Sequence, residues 1–296
     1  MKDERIFKAL WLSYSSITDF LKCPRAYYLK NIYKEPETNR KIQLITPHLA
    51  LGQVVHEVLE SLSVLPVADR LNVNLLQNFN NAWKKVEGKK GGFFSLEEEI
   101  EFKKRGENMI RRVLKNPGPI AEKAVKINMD LPYFWLDEAR EIILCGKIDW
   151  LRYKEEDDSV EIIDFKTSKT AFEDEDSLQL PIYALLVHFT QHRRVSGVSY
   201  WYLERDDIPT PKPLPNIDES LLKIKRIAQK IKVAKKLDSF KCPHGDKGCV
   251  YCRPYEKIIN GEAEFVGVDQ HGRRSVYVIP KERQIKDDLT DNSYIL

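Results

Sequence analysis

The feature that most constrains this chain is a pair of aspartates set inside apolar segments. The sequence IILCGKIDWLRY carries Asp149, VEIIDFKTS carries Asp164, and only the polar stretch EEDDS separates the two runs. Such a pattern predicts two strands joined by a tight hairpin, which brings Asp149 beside Asp164. Lys166 lies two residues beyond Asp164, so on a strand both side chains leave the same face. Two carboxylates and an ammonium then share one half-buried surface. Buried unpaired charge is costly, and adjacent carboxylates repel. A divalent cation would remove that conflict by taking oxygen ligands from both acids. Once bound it could polarise a phosphoryl oxygen and acidify a water, while Lys166 offset charge developing on the phosphate. A structural ion-pair network at a sheet end is the plainer alternative, and D-x-K alone would favour it.

The rest of the sequence predicts a globular α/β (α+β) protein. Apolar residues make up 42 % of the 296 positions, enough for a substantial core. Charged residues make up 31 % and nearly cancel, leaving a net charge of +3. That balance permits local basic patches without requiring a nucleic-acid partner. The amino terminus lacks the apolar stretch and small-residue cleavage site of a secretory signal. No apolar run approaches the ~20 residues that cross a bilayer. The expectation is a cytoplasmic, intracellular protein with no membrane association and with reduced cysteines.

Along the chain, Ser13 to Tyr33 reads as a helix kinked or broken near Cys23 by Pro24, and Leu49 to Ser63 as a second helix. Residues 64–119 form an expected helical insertion, interrupted by GKKGG and closed by NPGP. VKINMDL alternates with period two, so Val125, Ile127, Met129 and Leu131 predict a further strand in an antiparallel meander. LQLPIYALLVHF predicts an amphipathic helix, GVSYWYLE a strand, and Ile217 to Leu237 a lysine-rich helix. The whole chain, 1–296, is expected to form one domain, with a cysteine loop at 238–260.

Two more patterns stand near the acids in chain order. LGQVVHEVLE places His56 four residues after Gly52 on a helix, and QLPIYALL puts Gln179 and Tyr183 on one helical face. Alone, each reads as an ordinary helix histidine and a core tyrosine. Cys242, Cys249 and Cys252 sit in KCPHGDKGCVYC with metal-ligand spacing. The fourth ligand is either His244, giving a zinc site, or the distant Cys23. Cys145 reads as a small core residue.

Taken together, G-x-x-x-H (Gly52 to His56), G-x-x-D (Gly146 to Asp149), D-x-K (Asp164 to Lys166) and Q-x-x-x-Y (Gln179 to Tyr183) resemble the RecB-like branch of the PD-(D/E)xK nuclease superfamily. The opening SYSSITDFLKCPRAYYLKNI resembles that branch's CPR helix. The resemblance implies a restriction-endonuclease-like mixed sheet flanked by helices, with a helical insertion. It implies Mg²⁺ or Mn²⁺ held by His56, Asp149, Asp164 and the backbone carbonyl of Phe165. Lys166 would serve the hydrolytic water, with Gln179 and Tyr183 bracing the site or touching the DNA backbone. Glu122 stands roughly where some relatives carry an acid, although a solvated strand-end residue explains it as well.

The same resemblance implies that Cys23, Cys242, Cys249 and Cys252 hold a [4Fe–4S] cluster that ties the amino-terminal helix to the cysteine loop, with Zn²⁺ as the alternative. Relatives more often place the last ligand after the C-x-x-C, and this chain has no cysteine there. The expected activity is DNA exonucleolysis on single strands or ends, with recombination or CRISPR-adaptation proteins as possible partners in a prokaryotic or phage setting. A non-catalytic iron–sulfur DNA-binding subunit is the alternative, and intact catalytic positions argue against it. The lysines of the 217–237 helix read equally well as a solvated face or a DNA-tracking surface. Trp201, Tyr202, Tyr27 and Tyr28 read as core before they read as base-stacking platforms.

Overall fold

The structure is a computed structural model, and it describes residues 4–169 and 177–280. In chain order the elements are α1 (Arg5–Lys8), β1 (Leu10–Leu12), α2 (Tyr14–Lys22), α3 (Pro24–Tyr27), β2 (Lys41–Leu44), α4 (Pro47–Glu60), α5 (Val67–Arg70), α6 (Leu75–Trp83) and α7 (Leu96–Lys115). They continue as β3 (Tyr133–Asp137), β4 (Ile142–Cys145), β5 (Trp150–Lys154), β6 (Ser159–Lys166), α8 (Gln179–Thr190), β7 (Arg194–Tyr202), β8 (Thr210–Lys212), α9 (Ile217–Lys236), α10 (Arg253–Ile259), β9 (Glu264–Val268) and β10 (Arg274–Val278). The strands form three mixed sheets accompanied by helices, in the α/β class expected. Among the described residues no helix is long and apolar enough to cross a membrane.

The chain folds as two compact units, each assembled from separated segments. The first comprises residues up to 18, 52–80 and 105–239. Its larger sheet has the order β5-β6-β7-β8. The hairpin β5–β6 is antiparallel, with Trp150 opposite Ile163, so Asp149 and Asp164 meet one step past the ladder. β6 and β7 are parallel and are linked through α8, because a parallel return needs a crossover. On one sheet face Leu151, Val160, Ile162, Val198 and Tyr200 pack against Leu180, Ala184 and Val187 of α8. Asp164 and Lys166 follow Ile162 at period two, so the start of α8 comes over them. The second sheet of this unit has the order β1-β4-β3.

Unit 2 comprises residues 19–51, 81–104 and those from 240 onward. Its sheet has the order β2-β10-β9, with β2 and β10 parallel.

Several expectations need correction. IILCGKIDWLRY is not one strand: it forms β4 and β5, and Asp149 lies in the gap between them, just before β5. VKINMDL does not form a strand, and the meander is lost with it. Only Ala124 bridges to Arg152 in that region, even though the period-two pattern is present. α8 is not amphipathic: Leu180, Ile182, Ala184, Leu185, Leu186 and Val187 are all buried. The break expected as one alternative near Cys23 is present: α2 stops at Lys22, and Cys23 caps α3 by accepting a bond from the Ala26 N–H at 3.4 Å. Trp201, Tyr202 and Tyr27 are core residues.

The strand carrying Trp150 is pinned from the side by Arg70. The Arg70 guanidinium is buried, donates to the carbonyls of Leu65 and Ile120 at 3.1 Å, and also reaches that of Glu122 at 2.5 Å. It stacks 5.0 Å from the Trp150 ring. Arg70→Met keeps the stem and leaves three carbonyls without a donor. It should lower the stability by about 1–3 kcal/mol, read as a fall in the unfolding midpoint with urea.

Candidate metal centres

At the carboxyl end of β6, Asp164 is 2 % exposed and Asp149 is 7 % exposed. Asp149 is held by its neighbours: its Oδ2 accepts the Phe165 backbone N–H at 2.8 Å, and its Oδ1 lies 3.2 Å from Nδ1 of His56. Asp164 Oδ1 accepts from Gln179 Nε2 at 2.8 Å. Its Oδ2 lies 2.5 Å from the Lys166 ammonium, yet this buried oxygen has no aligned hydrogen bond. The contact is an ion pair.

Lys166 also donates to Gln179 Oε1 at 2.5 Å and sits 4.6 Å from the Tyr200 ring centroid. Gln179 donates again to Tyr183 Oη at 3.2 Å. A single amide therefore connects acid, lysine and tyrosine. These groups line a cleft of about 540 Å³ together with Ser13, Tyr14, His56, Gly146 and Lys147. Gly146 has a steric reason: a Cβ there would come within 2.8 Å of Leu186 Cδ1 on α8.

Two residues near this cleft, Glu60 and Lys147, are not among the candidates named from the sequence. Glu60 stands one helical turn after His56, and its carboxylate forms with His56 and Asp149 a group whose ligand atoms lie within 4.8 Å of one another. Lys147 pairs with that carboxylate. The spacing H-x-x-x-E was readable, since i and i+4 share a helix face. Glu122 is elsewhere: it accepts from Arg152 Nε at 2.6 Å as part of a surface ion pair. On α9, Lys225 and Lys232 are engaged by Asp137 and Glu141, whereas Lys223, Arg226, Lys230, Lys235 and Lys236 are exposed.

The electrostatics follow from burial. Desolvation, reinforced by the charge on Asp149, pushes the Asp164 carboxyl up to about 7. For His56, burial opposes the charged form, but Asp149 outweighs it and raises the group above its usual value. The residues therefore fit a divalent cation: two crowded acids, one unsatisfied buried oxygen, and an imidazole alongside.

Unit 2 brings Cys23, Cys242, Cys249 and Cys252 into a second group, and Cys23 rather than the exposed His244 completes it. Burial pushes the Cys23 thiol up to about 11. Metal binding must displace such protons. Cys145 stays apart, buried in β4.

The family model described as the PD-(D/E)XK nuclease superfamily matches residues 11–257. A search of curated proteins finds no match.

The raised carboxyl sets a pH dependence. Asp164 holds its proton in the folded state up to about 7 but loses it near 3.8 when unfolded. Between those values the folded state binds more protons, so stability falls as pH rises. The raised His56 acts in the same direction, since its favourable charge is lost on going alkaline. Adding Mn²⁺ to metal-free protein should therefore raise the melting temperature more at pH 8 than at pH 5. Asp164→Asn should reduce that difference, and an equal effect of Mn²⁺ at both pH values would contradict the account.

Glu60→Gln should weaken Mn²⁺ binding roughly 10- to 100-fold, as measured by calorimetry.

Proposed function

This chain belongs to the PD-(D/E)XK nuclease superfamily, and from that premise we propose that it is a divalent-metal-dependent DNA exonuclease acting on single strands or DNA ends. The observation that carries the reading is the buried Asp149–Asp164 pair with Lys166 and an unsatisfied Asp164 oxygen, all lining one cleft. His56, Asp149, Asp164 and the Phe165 carbonyl would hold Mg²⁺ or Mn²⁺. The carbonyl's role is supported by backbone direction: a strand residue's N–H and C=O point to the same edge, and the Phe165 N–H already meets Asp149. A bound cation would supply Lewis acidity at the phosphate and lower the pKa of water.

The chain's own groups do the rest. Lys166 places a positive charge on the cleft wall, where it offsets charge building on the phosphoryl oxygens or holds the attacking water. Gln179 keeps Lys166 beside Asp164, accepting from one through Oε1 and donating to the other through Nε2. Tyr183 fixes that amide from its far side. Phe165 and His56 hold the two oxygens of Asp149 in a set orientation.

The exonuclease mode, the RecB-like branch and the setting rest on the Gly52–His56, Gly146–Asp149 and Gln179–Tyr183 motifs. The setting is recombination, repair or CRISPR adaptation inside a prokaryotic or phage-infected cell. The exposed part of the α9 lysine face supports backbone contact with DNA.

The test is incubation of 5′- and 3′-labelled single- and double-stranded DNA with Mg²⁺ or Mn²⁺. Mononucleotides or short oligonucleotides released from one labelled end are expected. Lys166→Ala should lower the rate at least about 100-fold without loss of Mn²⁺ binding. Equal rates for the two proteins would remove Lys166 from the chemistry.

A further inference from the structure

The four thiols of unit 2 stand closer together than a four-iron cluster requires. The Sγ atoms of Cys23, Cys242, Cys249 and Cys252 all lie within 4.8 Å of one another, and those of Cys249 and Cys252 are 3.8 Å apart. A tetrahedral ion with metal–sulfur bonds of about 2.3 Å sets its sulfurs about 3.8 Å apart, the edge of the tetrahedron. In a [4Fe–4S] cube each thiolate binds its own iron, and the bonds diverge outward. Four such sulfurs stand roughly 6 Å from one another. Every pair in this site falls short of that spacing, and the Cys249–Cys252 pair matches the single-ion edge.

The surrounding chain holds the sulfurs inward. Backbone N–H groups donate to three of them: Ala26 to Cys23 at 3.4 Å, His244 to Cys242 at 3.4 Å, and Cys249 to Cys252 at 3.1 Å. Gly248 has φ of 69°, and a Cβ there would lie 3.0 Å from the Cys252 sulfur. Ala26, Leu29, Tyr28 and Tyr255 pack against the thiols. Spreading the sulfurs would mean moving this packing.

We propose that this site holds one tetrahedral Zn²⁺ as a structural ion, in place of the [4Fe–4S] cluster that the family resemblance implies. Four thiolates close the coordination shell, which suits a structural zinc and leaves no position for substrate. The proposal does not depend on the nuclease reading, and its test uses no DNA.

The protein is expressed in medium containing both iron and zinc and purified without oxygen. Zinc, iron, acid-labile sulfide and the visible spectrum are then measured per chain. One zinc, no iron and no absorption near ~400 nm is the expected result. About four irons with matching sulfide and a brown protein would overturn it, as would protein free of either metal. In Cys242→Ser, at the half-exposed thiol, chelators should strip zinc at least tenfold faster than from the wild type. Asp164→Asn, at the other centre, should retain one zinc. Loss of zinc in Asp164→Asn alone would put the ion at the wrong centre and sink the proposal.

Discussion

The arrangement depends on one electrostatic conflict: two carboxylates, Asp149 and Asp164, are forced together where water cannot separate them. The pairing register of β5 and β6 leaves them no alternative, since Trp150 opposite Ile163 puts the preceding and following acids side by side. Each neighbour answers that conflict in part. The Phe165 N–H, the Lys166 ammonium and the Gln179 amide all direct positive charge at the pair. One oxygen of Asp164 still goes without a hydrogen bond. Either the proton that Asp164 retains up to about 7 or a cation can relieve the conflict.

Much of this was legible because charge in an apolar run is a strong signal. Asp164 and Lys166 needed only the two-residue period of a strand to share a face. Gln179 and Tyr183 needed only the four-residue spacing of a helix. Cys23 is joined to the three later cysteines by the resemblance alone, and the structure groups the four. The family match spans residues 11–257.

What escaped has physical reasons. Asp149 reads as lying inside a strand because IILCGKIDWLRY is predominantly apolar. Gly146 breaks the run, and the tight approach of Leu186 that calls for a glycine is a tertiary fact. Residues 125–131 alternate as a strand would, yet strand formation needs a partner edge, and only one bridge is made there. α8 lies at a parallel crossover and is buried nearly all round, so its apolar content overrode any helical stripe. Glu60 was passed over because a glutamate on a helix is usually solvated. Nothing in the sequence said that Asp149 would come up beside it.

The split origin of the thiol group carries a consequence for how the molecule is made. Cys23 is translated first, and its three companions follow roughly 220 residues later. Closing so long a loop costs only slightly more entropy than closing a short one. Delay, rather than thermodynamics, is then the burden. Until Cys242 is made, Cys23 has no companions to share an ion and stands open to oxidants and stray metals. Unit 2 can be completed only after the ribosome has delivered the long segment that separates Cys23 from Cys242.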